Sequence, residues 1–225
     1  MKLDLRVISI GTLPTHPLWN EHQPTRTGHA TTTLIRSDDR VILVDPGLPE
    51  RALRARLDER SGLSPGDITD VFLTSFKGDT CRGIGLFDQA RWWVAGDERE
   101  GVGVPLAILL RDADDPQVVA ELQRQVAILN RCEPAPDRLA PHVDLFPLPG
   151  VTPGLCGLLI GEPLGTTLIC GDAAATIEHL QHGSVLPHAH DVDQARRSLA
   201  EAIEIADLLV LGRDNIVTNP SRGPF

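Results

Sequence analysis

The sequence predicts an α/β fold, and three observations carry that expectation. Short β-rich runs alternate with helical stretches along the whole chain. Eighteen prolines and twenty glycines punctuate the runs with turns. Hydrophobic residues make up 41% of the 225, enough to bury a substantial core.

In chain order, Leu3, Leu5, Val7 and Ile8 read as a strand continuing toward Leu13, and Pro14 to Gly28 as a long polar loop carrying His16, Trp19 and His22. Thr31 to Ile35 and Val41 to Val44 form a hairpin signal across Ser37-Asp38-Asp39, ended by the sharp turn Asp45-Pro46-Gly47. Arg51 to Arg60 predicts a charged helix, broken by Ser64-Pro65-Gly66-Asp67. Strands are expected at Ile68–Thr74 and Trp92–Val94, with a helical turn at Gly83–Phe87 between them. Asp115 before Pro116 is a helix start, and Val118, Val119, Leu122, Val126 and Leu129 share one face. Residues 101–137 therefore read as a helical insertion, closed by the breaker Glu133 to Asp137. Strands follow at Val143–Leu148, Cys156–Ile160 and Thr166–Cys170, then a polar loop with His179, His182, His188 and His190. Asp193 is placed to cap a helix whose face carries Ala195, Leu199, Ala202, Ile203 and Ala206, and Asp207 to Gly212 holds the final strand.

The net charge is −10 with no basic stripe, the wrong balance for nucleic acid or an anionic membrane surface. Cys81, Cys132, Cys156 and Cys170 form no C-x-x-C pair and read as separate thiols in a reducing compartment. Lys2, Asp4 and Arg6 interrupt the opening residues, so no signal peptide is expected, and no apolar run is long enough to span a bilayer. A soluble cytoplasmic protein is the expectation.

Five turn motifs occur in a fixed order. They are Ile42-Leu43-Val44-Asp45-Pro46-Gly47, Leu73-Thr74-Ser75-Phe76-Lys77-Gly78-Asp79-Thr80, Pro149-Gly150-Val151-Thr152-Pro153-Gly154, Ile169-Cys170-Gly171-Asp172 and Leu209-Val210-Leu211-Gly212-Arg213-Asp214. Each is weak alone. Together they resemble the frame of the metallo-β-lactamase superfamily across nearly the full chain. The resemblance implies a single domain over 1–225, a four-layer αββα sandwich of two mixed sheets. Its halves would fall near residues 1–100 and 139–225, with the motif loops meeting at one edge.

That family holds two metal ions with histidines from H-x-H-x-D-H, from a glycine-rich loop and from a closing G-H, plus a bridging aspartate. At the matching positions this chain has Ser75, Lys77, Thr80, Val151 and Arg213, and only Asp79 and Asp172 keep ligand-type side chains. Zinc wants three or four imidazole, thiolate or carboxylate donors. Val151 has none, and two cations repel a dication. No metal and no cofactor are therefore expected, and with the metal would go the hydroxide nucleophile. Lys77 and Arg213 are expected to fill the old metal space and pair with Asp79 and Asp172.

Several residues have plainer readings. Asp45 is expected mainly to cap amides of its own turn. His188-Ala189-His190-Asp191 looks like half a metal motif but reads as surface, and His16, His22 and His29 read as loop histidines near the mouth of the cleft. Cys81 reads as core, not as a nucleophile. The resulting functional expectation is a pseudoenzyme whose vestigial site, Asp45, Ser75, Lys77, Asp79, Thr80, Val151, Asp172 and Arg213, binds a small anionic ligand. The alternative is a metal-dependent or metal-independent hydrolase with a rebuilt site, and a purely structural subunit is a third reading. The quorum-lactone branch of the family uses a catalytic tyrosine, and this chain has no tyrosine.

Overall fold

The computed structural model describes residues 3–162 and 165–221, so Lys2 and the two ends of the expected 1–225 domain lie outside the described residues. The first sheet has six strands in the order β1 (Leu3–Ser9), β2 (Thr32–Ser37), β3 (Arg40–Val44), β4 (Asp70–Leu73), β5 (Arg91–Val94) and β6 (Glu133–Pro134). The second sheet also has six, ordered β12 (Ile216–Thr218), β11 (Leu208–Leu211), β10 (Gly165–Gly171), β9 (Cys156–Glu162), β8 (Val143–Pro147) and β7 (Arg138–Ala140). Five helices flank them: α1 (Glu50–Ser61), α2 (Gly96–Asp112), α3 (Pro116–Arg131), α4 (Ile177–His182) and α5 (Val192–Ile205).

Strand alternation builds the layers. Ile42 and Val44 point between the sheets and join Phe72, Trp93, Val143, Leu158, Ile160, Ile169 and Val210 in a shared core. Leu43, Val71, Leu73 and Val94 point outward against Leu53 and Leu57 of α1 and Leu106, Ile128 and Leu129 of α2 and α3. Leu168, Cys170, Leu209 and Leu211 point outward from the second sheet against Ala195, Leu199 and Ala202 of α5. Period-2 strands buried on both faces, each covered by an amphipathic helix stripe, give α, β, β and α layers.

The structure differs from the sequence expectation at several points. The first half runs to Pro134, because Glu133-Pro134 is not only a breaker but a short edge strand paired with Trp93 and Val94. Pro sits at an edge, where its missing N–H costs little. The helical stretch begins at Gly96, before the expected 101, and keeps Pro105 inside α2. Asp191, not Asp193, caps α5 by accepting the Gln194 N–H at 2.9 Å. His179 and His182 lie in α4 rather than in a loop, and β11 is followed by β12. Asp115 caps α3 as expected, accepting from the Gln117 and Val118 amides. Among the described residues no helix is long and apolar enough to cross a membrane.

Candidate functional site

Parallel pairing brings the motif turns together. β10 and β11 run parallel, with Gly171 opposite Leu211, so the residues after them emerge side by side. Those residues are Asp172 and, past Gly212, Arg213. The Gly212 and Arg213 amides donate to the carbonyls of Ala174 and Ala175 at 3.0 and 2.7 Å, fixing this junction. Gly171 adopts φ +52°, and a side chain there would collide with Thr74 of the other sheet. In the first sheet β3 and β4 are likewise parallel, which sets Asp45 beside Thr74. The loop after β4 then carries Ser75, Lys77 and Asp79 across the gap, closed by the Thr80 hydroxyl on the Ser75 carbonyl at 2.7 Å.

At the centre lies Arg213, 4% exposed. Its guanidinium grips Asp172 with two parallel bonds, Nε to Oδ1 at 2.6 Å and Nη2 to Oδ2 at 2.8 Å. The same group reaches Asp79, Nη2 to Oδ1 at 3.2 Å and Nη1 to Oδ2. Lys77 Nζ donates to Asp172 Oδ2 at 2.9 Å. The expected charge pairing is therefore present in full: two cations meet two carboxylates, and formal charge sums to zero. Burial works to raise the Asp172 pKa, but Arg213 and Lys77 overrule it and hold the carboxyl well below the usual range. Burial likewise opposes the Arg213 charge, and Asp172 and Asp79 more than offset it.

Asp45 is buried next to this group but does not cap its own turn, as the sequence suggested. It accepts the Thr74 N–H at 2.9 Å and the Thr74 hydroxyl at 2.7 Å, tying β3 to the end of β4. Burial, resisted by those two bonds and reinforced by Asp172, pushes its carboxyl up to about 7. Ser75 contributes its carbonyl, while its hydroxyl is buried without a partner. Val151 does not join the cluster. It packs with Leu148, Leu155 and Ala195, and its carbonyl accepts the His190 amide at 3.2 Å. Gly150 makes that loop possible, since any side chain would collide with the Ala195 backbone at φ +131°.

The position fits a metal poorly. The arginine fork and the lysine ammonium stand among the carboxylates that would serve as ligands, and they bring positive charge where a dication would have to sit. Among the described residues no three His, Cys, Asp or Glu side chains are grouped to hold an ion. Cys81 is buried, and burial lifts its thiol to about 11, which leaves no thiolate nucleophile near neutral pH.

Sequence reasoning missed a second group beside the first. A pocket of about 330 Å³ is lined by Arg213, Asp214, Thr176, Glu178, His16 and Trp19, among others. There His16 Nε2 lies 3.2 Å from Thr176 Oγ1 and 3.4 Å from Glu178 Oε2, and His179 Nδ1 lies 2.9 Å from the same hydroxyl. Thr176 caps α4, and that cap was the available signal. Of the eight histidines only His16 and His179 are buried; His188 and His190 are exposed, as their surface reading required, and His22 is exposed as well.

The family model described as "Metallo-beta-lactamase superfamily" matches residues 25–212. The chain belongs to the metallo-β-lactamase superfamily. Solved structures of similar shape include a Thermotoga maritima protein provisionally described as a metallo-beta-lactamase, at 20% identity and a TM-score of 0.69, covering 97% of this chain and 100% of that one. A Staphylococcus aureus protein titled a probable metal-dependent hydrolase has 16% identity and a TM-score of 0.71, over 97% and 94% of the two chains. AidC, titled a dizinc quorum-quenching lactonase, has 20% identity and a TM-score of 0.63, over 78% and 67%. At these identities the likeness is one of fold. No protein of curated function matches the chain.

Proposed function

We propose that this superfamily member is a pseudoenzyme: a hydrolase-type scaffold, one domain over 1–225, in which an ion cluster replaces the metal centre. The observation that carries the reading is Arg213, whose one guanidinium binds both Asp79 and Asp172. The lost ligands are then not a gap but a substitution, with cations standing in for cations. A small anionic ligand fits one part of the cluster only. The Arg213 donors are directed to the two aspartates, whereas the Lys77 side chain is 31% exposed and can share its ammonium with an anion from the cleft. Four buried free thiols suit a reducing cytoplasmic setting.

The second reading, a hydrolase with a rebuilt site, has on its side the two buried histidines next to the cluster. They face Thr176 rather than Asp79 and Asp172, so they add no donor to the old metal position. Elemental analysis separates the readings. Protein incubated with zinc or manganese and then desalted is expected to carry far less than one ion per chain, and to hydrolyse no β-lactam, lactone, thioester or phosphodiester. About one ion per chain, removable by chelator, or turnover abolished by Asp172→Ala, would overturn the proposal.

A further inference from the structure

The loop between β1 and β2 is closed at its neck by a two-way backbone bridge, Thr12 N–H to the His29 carbonyl at 2.9 Å and His29 N–H to the Thr12 carbonyl at 3.1 Å. Residues 13–28 beyond the neck hold themselves together. The Thr25 amide donates to the Pro14 carbonyl, the His16 amide to Glu21, and Arg26 pairs with Glu21. The hydrogen bonds that this segment makes to the body beyond the neck, among the described residues, go to Thr176 and Glu178. They come from His16 and from the Trp19 indole N–H, 3.2 Å from Glu178 Oε1. The His16 ring stacks on Trp19 at 4.1 Å and lies 5.3 Å from the His179 ring. Residues of the segment form one wall of the pocket that Arg213 borders.

The Thr176 hydroxyl has one hydrogen, and Glu178 Oε2 at 2.8 Å is a pure acceptor that takes it. His16 Nε2 then faces only acceptors, the Thr176 oxygen and Glu178 Oε2, and donates to them, while His179 Nδ1 donates to the Thr176 oxygen beside the long 3.5 Å cap bond from its own amide. Each neutral ring is left with one bare nitrogen, His16 Nδ1 and His179 Nε2, and both are buried without a partner. A proton added to either would create a buried N–H with no acceptor, and two imidazolium rings would stand side by side.

We propose that residues 13–28 form a strap latched over the Arg213 side of the cleft by His16, Thr176, Glu178 and His179, and that protonation of the two imidazoles releases it. The charged groups facing the rings are Glu21 and Arg26 on the strap, Glu178 and His182 on α4, Asp172 before it, Arg196 on α5, and Arg213 and Asp214 across the pocket. Among the carboxylates, Asp172 is already held by Arg213 and Lys77, and Glu21 by Arg26, so Glu178 beside His16 and Asp214 across the pocket are the remaining counter-charges for two rings. Burial, helped by His16, pulls His179 down to about 4, in line with a ring kept neutral. The latch rests on the strap's own contacts and stands whether or not the ion cluster excludes metal.

The three tryptophans make the test direct. The Trp92 and Trp93 indoles donate to the Phe87 carbonyl and to Asp70, neither of which bonds the strap, and serve as internal controls. In ¹⁵N-labelled full-length protein titrated from pH 7.5 to 4, the Trp19 indole signal, assigned with Trp19→Phe, is expected to move reversibly with a midpoint below about 6.5. The Trp92 and Trp93 signals should stay in place. Thr176→Val should give the released Trp19 signal already at pH 7.5, and His16→Gln and His179→Gln should each move the midpoint or abolish the transition. A Trp19 signal that is constant with pH, that moves only together with Trp92 and Trp93, or that keeps its midpoint in both Gln variants would overturn the latch. If a Gln variant fails to fold, the wild-type titration and Thr176→Val decide it.

Discussion

Two buried aspartates in this protein are held by arginine, and they are held for different reasons. Asp70 on β4 takes a bidentate fork from Arg40 at 2.6 and 2.5 Å, with Arg91, the Trp93 indole and the Thr69 hydroxyl completing its shell. Its charged partners come from β3 and β5, the strands next to its own, and register alone delivers them: Asp70 lies opposite Arg91. Asp172 takes a fork of the same kind, but its partners arrive from loops at the ends of both sheets, and its arginine is shared with a second carboxylate. A single buried acid needs one cation. Two acids on loops of different sheets share one guanidinium, which stands between them.

That difference predicts unequal sensitivity. Removing Arg40 leaves Asp70 with Arg91, Trp93 and Thr69, so Arg40→Ala is expected to cost about 1–3 kcal/mol. Removing Arg213 leaves two carboxylates close together, one of them buried, so Arg213→Ala is expected to cost about 3–5 kcal/mol in urea unfolding at pH 7. Equal losses, or the reverse order, would break the comparison.

The pH dependence of the larger loss sharpens it. In the wild type the Asp172 pKa is depressed, so its stabilising contribution is present above the ordinary carboxylate range and is lost as pH falls through the folded value. Without Arg213, burial and Asp79 are opposed by Lys77 alone, so that pKa rises and part of the stability is then lost as pH rises. The penalty of Arg213→Ala should therefore shrink by about 1–2 kcal/mol between pH 7.5 and pH 4.5, read from the same unfolding curves. A penalty independent of pH would mean that the arginine matters for packing and not for charge.

Much of this was legible in the sequence. Strand runs such as Val41–Val44 and turns such as Asp45-Pro46-Gly47 are local signals, and their order carries the fold. The pairing of Arg213 with Asp172 was legible too, through the family resemblance, which set both residues at former metal-ligand positions. The His16–Thr176 contact was not, since it joins positions 160 apart through a loop with no periodicity to read. Asp45 was misread for a related reason: the donor it serves is Thr74, across a parallel pairing that short-range turn rules do not see.

Asp45 supplies a third case, a buried acid with no cation in hydrogen-bonding reach. Its carboxyl sits at about 7 rather than below the normal range, so the folded protein holds a proton there that the unfolded chain releases near 4. The associated stability is complete at low pH and is lost as pH rises toward 7. Asp45→Asn keeps an acceptor for the Thr74 amide and removes the titration. Its stability relative to wild type is expected to improve by about 1–2 kcal/mol from pH 5 to pH 7, by thermal unfolding across that range. A constant difference would place Asp45 with the paired aspartates instead.

The smallest effect is expected at Lys77. Its ammonium meets the same oxygen of Asp172 that Arg213 Nη2 binds, so in its absence the carboxylate keeps both bonds of the arginine fork. Nearly a third of the side chain is open to water, which weakens the pair by screening and leaves the freed lysine partly solvated in the unpaired state. Lys77→Met preserves length and packing, so the loss of stability should stay within about 1 kcal/mol at pH 7 and should shrink further in high salt. What the substitution should remove is affinity for small anions, measured by titrating phosphate or a dicarboxylate against wild type and variant, because Lys77 is the cation of the cluster open to water, with one of its three protons on Asp172. A loss comparable to that of Arg213→Ala would show that the two cations act as one unit, and that the arginine alone does not keep Asp79 and Asp172 apart.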